Sequence, residues 1–313
     1  MTLPGLPSPR IRRAGPIAAL VLSVVMLTGS AGMAATLEST FPRLSFGPLK
    51  QATVADLPAR VLLTAEDLTI GSSDLSREIA KLPSSARSQF SKYAFVILEN
   101  MAARKLLVSE AKTWASKNSV SGGLSEGGLI NAFLQSIASR VTVTDEEAAE
   151  FYKQNRDMIG SATFEYVKAD LKKYLLKEKQ QAAVDSYVNS ISARHDVRIS
   201  KAWASGEYKK WKTNPVERVR RSGKPSLVQF VGPGCQACEK MEPVINGVRR
   251  KYAGRLNLLS VRIDKEQALA AYYDASSIPL QVFCNRRGEE TYRHKGVMDR
   301  RAIDQQLEKL GVK

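Results

Sequence analysis

The chain has 313 residues, 43% of them hydrophobic and 25% charged, with a formal net charge of +16. This balance excludes a disordered chain and fits a soluble globular protein. The length exceeds one domain of roughly 100–200 residues, so two domains are expected.

At the amino terminus, Arg10, Arg12 and Arg13 precede a run over residues 17–27 that is apolar but for Ser23, followed by small residues in "SAGMAAT". That is the layout of a secretory signal peptide, with cleavage placed after Ala34. The run is shorter than the roughly 20 apolar residues that span a bilayer, and no cysteine follows it to carry a lipid. Residues 1–34 therefore read as a cleaved signal peptide and the mature protein as periplasmic, in an oxidising space where cysteines pair or work. The basic excess lies in the last third: residues 200–313 carry 23 Lys and Arg against 12 Asp and Glu. These charges are scattered rather than run together, and an exported chain rarely meets nucleic acid. The reading is a solvated basic face that could attract acidic clients or anionic lipid, with no nucleic-acid partner.

Residues 35–59, rich in Pro, Gly and Ser, read as an irregular lead-in. "RVLLTAEDLTI" reads as two short strands about an acidic turn. Ser73 or Asp74 offers an N-cap for helical sequence to about residue 117, broken by Pro83, with Ser84 able to cap the next helix. From Phe90 on, Tyr93, Ala94, Ile97, Leu98, Met101, Leu106, Val108 and Ala111 recur at three and four, a stripe wide enough to require burial against several helices. A Gly and Ser loop follows, and the helical pattern resumes over 129–138. Thr144 with Glu147 three residues on forms a capping box. After the break at "RDMIGSA" a long polar helix runs to His195, a position that favours interaction with the helix dipole. "DVRIS" is a closing strand able to pair with the first strands. Residues 60–200 thus read as one mainly helical domain with a small strand element at its ends.

The segments "LPSSARSQF", "LLVSEAK", "VTDEEAAEFYKQN" and "FEYVKADLKKYLLKEKQQAAVDSYVNSISARHDVRIS" resemble the peptide-binding domain of the SurA and PrsA class of exported chaperones. In that class two segments flank a parvulin prolyl isomerase module. Here only a few residues, 156–163, occupy its place, against the roughly 90 that such a domain needs. The resemblance therefore implies peptide holding without prolyl isomerase activity.

Residues 201–213 read as an ordered linker packed through Trp203, Tyr208 and Trp211. From Asn214 the elements follow in a definite order. Asn214 caps a helix with Pro215 at its first position, "SLVQFV" is a strand, and a helix kinked at Pro243 starts beside Cys235. "LNLLSVRID" is a strand, "EQALAAYYD" a helix, "LQVFCN" and "ETYRHKG" a hairpin turned at Arg287-Gly288, and "RRAIDQQLEKL" a closing helix. By spacing alone, Cys235-Gln-Ala-Cys238 fits a redox dithiol, a metal site completed by Cys284 and His294, or a structural disulfide. A cysteine at a helix N-terminus has its thiolate stabilised by unsatisfied N–H groups, so its pKa falls from about 8.5 toward neutrality or below. Cys235 would then exchange with a client disulfide and Cys238, one turn later, would resolve the mixed disulfide.

This order of elements, with the CxxC after a strand, Pro243 five residues beyond Cys238, Ile278-Pro279 before the hairpin and Gly296 after it, resembles the thioredoxin family over residues 214–313. The resemblance implies an α/β thioredoxin fold, Cys235 and Cys238 as the catalytic pair, and a cis Pro279 against them. It also implies that the Ile278 backbone pairs with the client and that Pro279 keeps metal ions from the thiolates. No cofactor or metal is implied. The chain departs from the family at Gly234, where cytosolic members have Trp, and at Gln229, where they have a buried acid that assists proton transfer. It departs again at Leu280, where Thr is common. Cys284 reads as a buried core residue, and His294 is assigned no role. The sequence as a whole points to a thiol–disulfide oxidoreductase acting on unfolded or cysteine-containing exported proteins and re-reduced by a membrane or periplasmic thiol donor. The alternatives are a chaperone whose thioredoxin-like domain is a binding module and, third, a metal-delivery protein.

Overall fold

A computed structural model describes residues 35–120 and 122–313; the expected signal peptide at 1–34 lies outside the described residues. Among those residues no helix is long and apolar enough to cross a membrane. The chain forms two compact units, one over Val108–Val188 and one that joins Thr36–Leu107 to Asn189–Lys313. This grouping does not follow the boundaries expected at 60–200, 201–213 and 214–313, and the reason is where the apolar side chains of the lead-in and of the expected linker go.

The lead-in holds a short helix α1 (Leu37–Thr40) and a strand β1 (Thr53–Ala55). It buries Leu37, Leu44, Leu49 and Ala52 almost completely. Their separations of seven, five and three residues sustain no single helical or strand period, so periodicity gives little sign of their burial. The expected strand pair is present as β2 (Val61–Ala65) and β3 (Leu68–Gly71), turning at Glu66-Asp67. Helix α2 (Ser72–Ala80) starts from Gly71 rather than from Ser73 or Asp74, and the Asp74 carboxylate accepts the Gly71 N–H from inside the first turn. Helix α3 (Ser84–Lys92) includes Ser84 as its first residue, after Pro83. The expected continuous helix over 90–117 is interrupted at Tyr93, and α4 (Phe95–Lys117) begins beyond it. At the α3 C-cap Tyr93 leaves helical geometry (φ −116°, ψ 54°) and sets its ring edge-on to that of Trp211.

In the Val108–Val188 unit, α5 (Glu126–Ala138) is capped by Ser125, and α6 (Asp145–Gln154) by the expected box of Thr144 and Glu147. The short α7 (Arg156–Ile159) fills the break and leads to α8 (Phe164–Asn189). Ala148 and Phe151 on α6 pack with Val167, Leu171 and Leu175 on α8. The unit thus has its own apolar core, and Phe133 packs between Trp114 and Tyr187 beside it.

The chain then returns through α9 (Ile191–Arg194) and β4 (Arg198–Ser200). As expected, β4 pairs antiparallel with β2, Leu63 opposite Ile199; it also pairs parallel with β1, giving the sheet order β1-β4-β2-β3. His195 lies at the C-terminal end of α9, its Nδ1 3.1 Å from a carboxylate oxygen of Glu66 in the β2–β3 turn. The expected linker is a helix, α10 (Lys201–Trp211), whose last residue is 1% exposed, with the Trp211 ring 4.2 Å from that of Tyr272.

The carboxy-terminal elements follow the expected order. They are α11 (Pro215–Arg220), β5 (Ser226–Val231), α12 (Gln236–Lys251), β6 (Asn257–Arg262), α13 (Gln267–Tyr272), β7 (Leu280–Cys284), β8 (Glu290–Lys295) and α14 (Arg300–Lys309). The sheet order is β6-β5-β7-β8, with β6 parallel to β5 and the others antiparallel. Leu227, Met241, Ile245, Val248, Phe283, Ile303 and Leu307 form the core between the sheet and helices α12 and α14. The lead-in docks on α11 and α13. Arg43 Nε donates to the buried Glu217 carboxylate at 3.0 Å, Tyr272 donates its hydroxyl to the Arg43 carbonyl, and Phe46 packs against Tyr272 and Tyr273. A large aromatic lost from such a site costs about 3–5 kcal/mol through the removed contacts and the cavity left. Trp211→Ala is therefore expected to lower unfolding stability by about that amount in a urea titration, whereas a solvated linker would leave the midpoint unchanged.

Candidate active site

Strand β5 is buried through Phe230 and delivers the chain to Gly232-Pro233-Gly234. A Cβ on Gly232 would stand 2.9 Å from Ile278 Cδ1 and 3.0 Å from Ile263 Cγ1, so glycine is what lets the Ile278 side chain close on this turn. Gly234 takes φ +68°, a left-handed conformation that L side chains rarely adopt. That backbone accounts for a glycine beside the first cysteine.

Cys235 is the N-cap of α12, and its Sγ accepts the Cys238 N–H at 3.1 Å. The two cysteines form a disulfide with a Cα–Cα separation of 5.2 Å. Cys235 is half-buried while Cys238 is 8% exposed. The sulfurs therefore differ in access: one faces the surface at the positive end of the helix dipole, the other is sealed behind it. Cys238 belongs to the buried stripe Cys238, Met241, Ile245, Val248, which seats α12 on the sheet despite Pro243 inside the helix.

The other two sequence-expected residues immediately precede β7. The Ile278-Pro279 bond is cis, Pro279 is buried and Ile278 is partly exposed. The Pro279 carbonyl accepts the Gly296 N–H at 2.8 Å, which brings the loop after β8 alongside. In that loop Val297 is 51% exposed, and its carbonyl lies 3.2 Å from His294 Nε2. Burial lowers the His294 pKa, and the bond to Val297 opposes the shift.

Two rows of side chains cross the sheet on the face under α12. Leu258, Leu227, Phe283 and Tyr292 are in mutual register and pack with the core. Two residues along each strand, on the same face, Ser260, Gln229, Gln281 and His294 are in register too. Gln229 is 3% exposed and Gln281 fully buried, and Gln281 Nε2 points at Met241 Sδ, 3.1 Å away. Gln229 was legible in the sequence as the departure from the family's buried acid; Gln281 was missed. Its signal is a lone amide inside the apolar strand "LQVFC". Cys284 pairs with Ser226 at the start of β5, the opposite end of that strand from the CxxC. It is fully buried, and burial raises its thiol pKa. Among the described residues no group of three or more His, Cys, Asp or Glu is placed to hold a metal ion.

A disulfide capping a helix that follows a central strand, with a cis proline leading into the neighbouring strand, defines a thioredoxin-fold protein with a CxxC pair. The thioredoxin family matches residues 209–309, beginning inside α10. A thioredoxin-like protein of Synechocystis is 30% identical over 100 residues, covering 32% of this chain and 94% of that protein. Thioredoxin 1 of Nostoc is 30% identical over 94 residues, covering 30% and 86%. A protein disulfide-isomerase of Neurospora crassa is 31% identical over 99 residues, covering 30% of this chain and 27% of that protein. Through its carboxy-terminal domain the chain belongs to the thioredoxin family.

The difference in access sets an order of reaction. After reduction under native conditions, iodoacetamide is expected to modify Cys235 on the order of tenfold or more faster than Cys238, because the reactive species is an accessible thiolate. Cys284 is expected to stay unmodified until the protein unfolds. Peptide mass mapping over time reads all three, and equal rates at Cys235 and Cys238 would contradict the asymmetry.

Proposed function

We propose that this protein is an exported, periplasmic thiol–disulfide oxidoreductase of the reductase or isomerase type, acting on cysteines of unfolded client proteins. The observation that carries the reading is the half-buried Cys235 at the N-cap of α12, disulfide-bonded to the buried Cys238, with the Ile278 side chain closing on the turn before it and Pro279 cis. In the reduced state the Cys235 thiolate attacks one sulfur of a client disulfide. A Cys235–client disulfide forms and the other client sulfur leaves as a thiolate. Cys238 then gives its proton to water and attacks Cys235 Sγ, re-forming the intramolecular disulfide and releasing the second client thiolate. A membrane or periplasmic thiol donor returns the pair to the dithiol. Ile278 offers its backbone to the client chain beside the scissile disulfide.

The helical segment supplies the second half of the proposal. Its capped helices and small strand element support the reading of a peptide-holding chaperone domain of the SurA and PrsA class without a parvulin module. Holding a client beside Cys235 raises the local concentration of its disulfides, by the logic of linked sites. A competing reading, a chaperone whose thioredoxin domain only binds, draws support from Gln229, a neutral amide that cannot take the Cys238 proton.

Insulin reduction by dithiothreitol separates the two. The wild-type protein is expected to accelerate it and Cys235→Ser to return it to the uncatalysed rate; no acceleration by the wild type would sink the oxidoreductase reading. The double Cys235→Ser, Cys238→Ser variant is expected to keep its suppression of aggregation of an unfolded client, and its loss would remove the separate holding role.

A further inference from the structure

Gln281 is fully buried: its Nε2 faces Met241 Sδ at 3.1 Å, and its Oε1 has no hydrogen-bond partner. The orientation of the amide is fixed by chemistry, since a thioether has no hydrogen to give and only the NH2 end can face it. An acceptor left unpaired in the interior is unfavourable, and native proteins retain few of them. This one lies under α12, in register with Gln229, against the residue one turn beyond Cys238 on the same buried stripe. Side chains on a helix lean toward its N-terminus, so Met241 and the amide it touches lie on the Cys238 side of that turn.

In the disulfide form Cys238 has no hydrogen. On reduction it becomes the one group of the stripe that turns from a non-donor into a donor. The geometry points to Gln281 as a redox-dependent positioning residue: its Oε1 accepts the Cys238 S–H in the dithiol state and is orphaned in the disulfide state. The consequence has a definite sign. A hydrogen bond made only after reduction stabilises the dithiol, and an unpaired acceptor destabilises the disulfide, so both displace the couple toward the reduced form and make the pair more oxidising. The same bond holds Cys238 protonated while Cys235 is the thiolate, which keeps the outer sulfur as the nucleophile. Gln229 and Gln281 together then replace a titrating acid under the pair with an amide that bonds the thiol without taking its proton.

This inference rests on the dithiol reading and is tested by equilibrium with glutathione, in which two glutathione thiols give their protons to Cys235 and Cys238 and leave as glutathione disulfide. Gln281→Met keeps the length and apolar volume of the side chain and removes the acceptor. The equilibrium constant for opening the pair is expected to fall about tenfold in this variant, equivalent to about 30 mV for the two-electron couple. A fall of threefold or more supports the assignment, and a smaller change or a rise overturns it. Wild-type protein alkylated at Cys235 supplies a second readout that needs no substitution. The infrared S–H band that it gains over the disulfide form belongs to Cys238, and Cys284 cancels. A band displaced to lower wavenumber than a free thiol supports the bond, and an undisplaced band overturns it. Failure of insulin reduction with the equilibrium shift intact would sink the proposed function alone; a pair that glutathione cannot open would sink both.

Discussion

The seating of α12 on the sheet governs the rest of the carboxy-terminal domain. Cys238, Met241, Ile245 and Val248 occupy one buried stripe of the helix, and the last three pack with Leu227 of β5 and Phe283 of β7, so the helix is held against the sheet beyond the end of β5. Cys235 then falls on the cap, where its sulfur takes an N–H of the first turn. The reactivity asymmetry follows from this packing: the same contacts that bury the second sulfur leave the first at the surface, in the field of the helix dipole. Pro243 does not disturb the arrangement, because Ile245 and Val248 beyond it remain buried on the same stripe.

A second buried network ties the lead-in to this domain. Glu217 lies at the start of α11 between Arg43 and Arg220, and Arg220 also donates to the Gly288 carbonyl and the Tyr273 hydroxyl. A buried carboxylate is tolerated only with such partners, and removing one leaves an uncompensated charge. Further along, Glu99 of α4 accepts from Ser45 and from the Leu49 N–H, which fixes the irregular stretch between them. Burial raises the Glu99 pKa while these bonds oppose the shift. The lead-in is thus a structural part of the thioredoxin-containing unit, held by polar anchors where it lacks regular hydrogen bonding of its own.

Beneath the CxxC the family pattern changes in kind. The thioredoxin family matches residues 209–309, and under α12 two buried glutamines, Gln229 and Gln281, stand opposite each other on β5 and β7. An amide can bond a thiol but cannot accept its proton, so the proposed resolution step passes its proton to water. Such a site favours control of the pair by hydrogen bonding over control by titration.

What the sequence alone determined is local. The caps at Thr144 and Asn214, the hairpin at 61–71, the order of elements from 214 on and the CxxC with Ile278-Pro279 all rest on short-range rules of spacing, turn chemistry and capping, and all stand in the structure. The tertiary structure alone decided which distant segments bury one another. Leu37, Leu44 and Leu49 of the lead-in are buried, Arg43 finds Glu217 across more than 170 residues of sequence, and Gln281 comes to lie opposite Gln229. No periodicity marks these residues, because their partners are set by strand register and packing between segments far apart in the chain. Burial and pairing of that kind exist only once the chain has closed on itself.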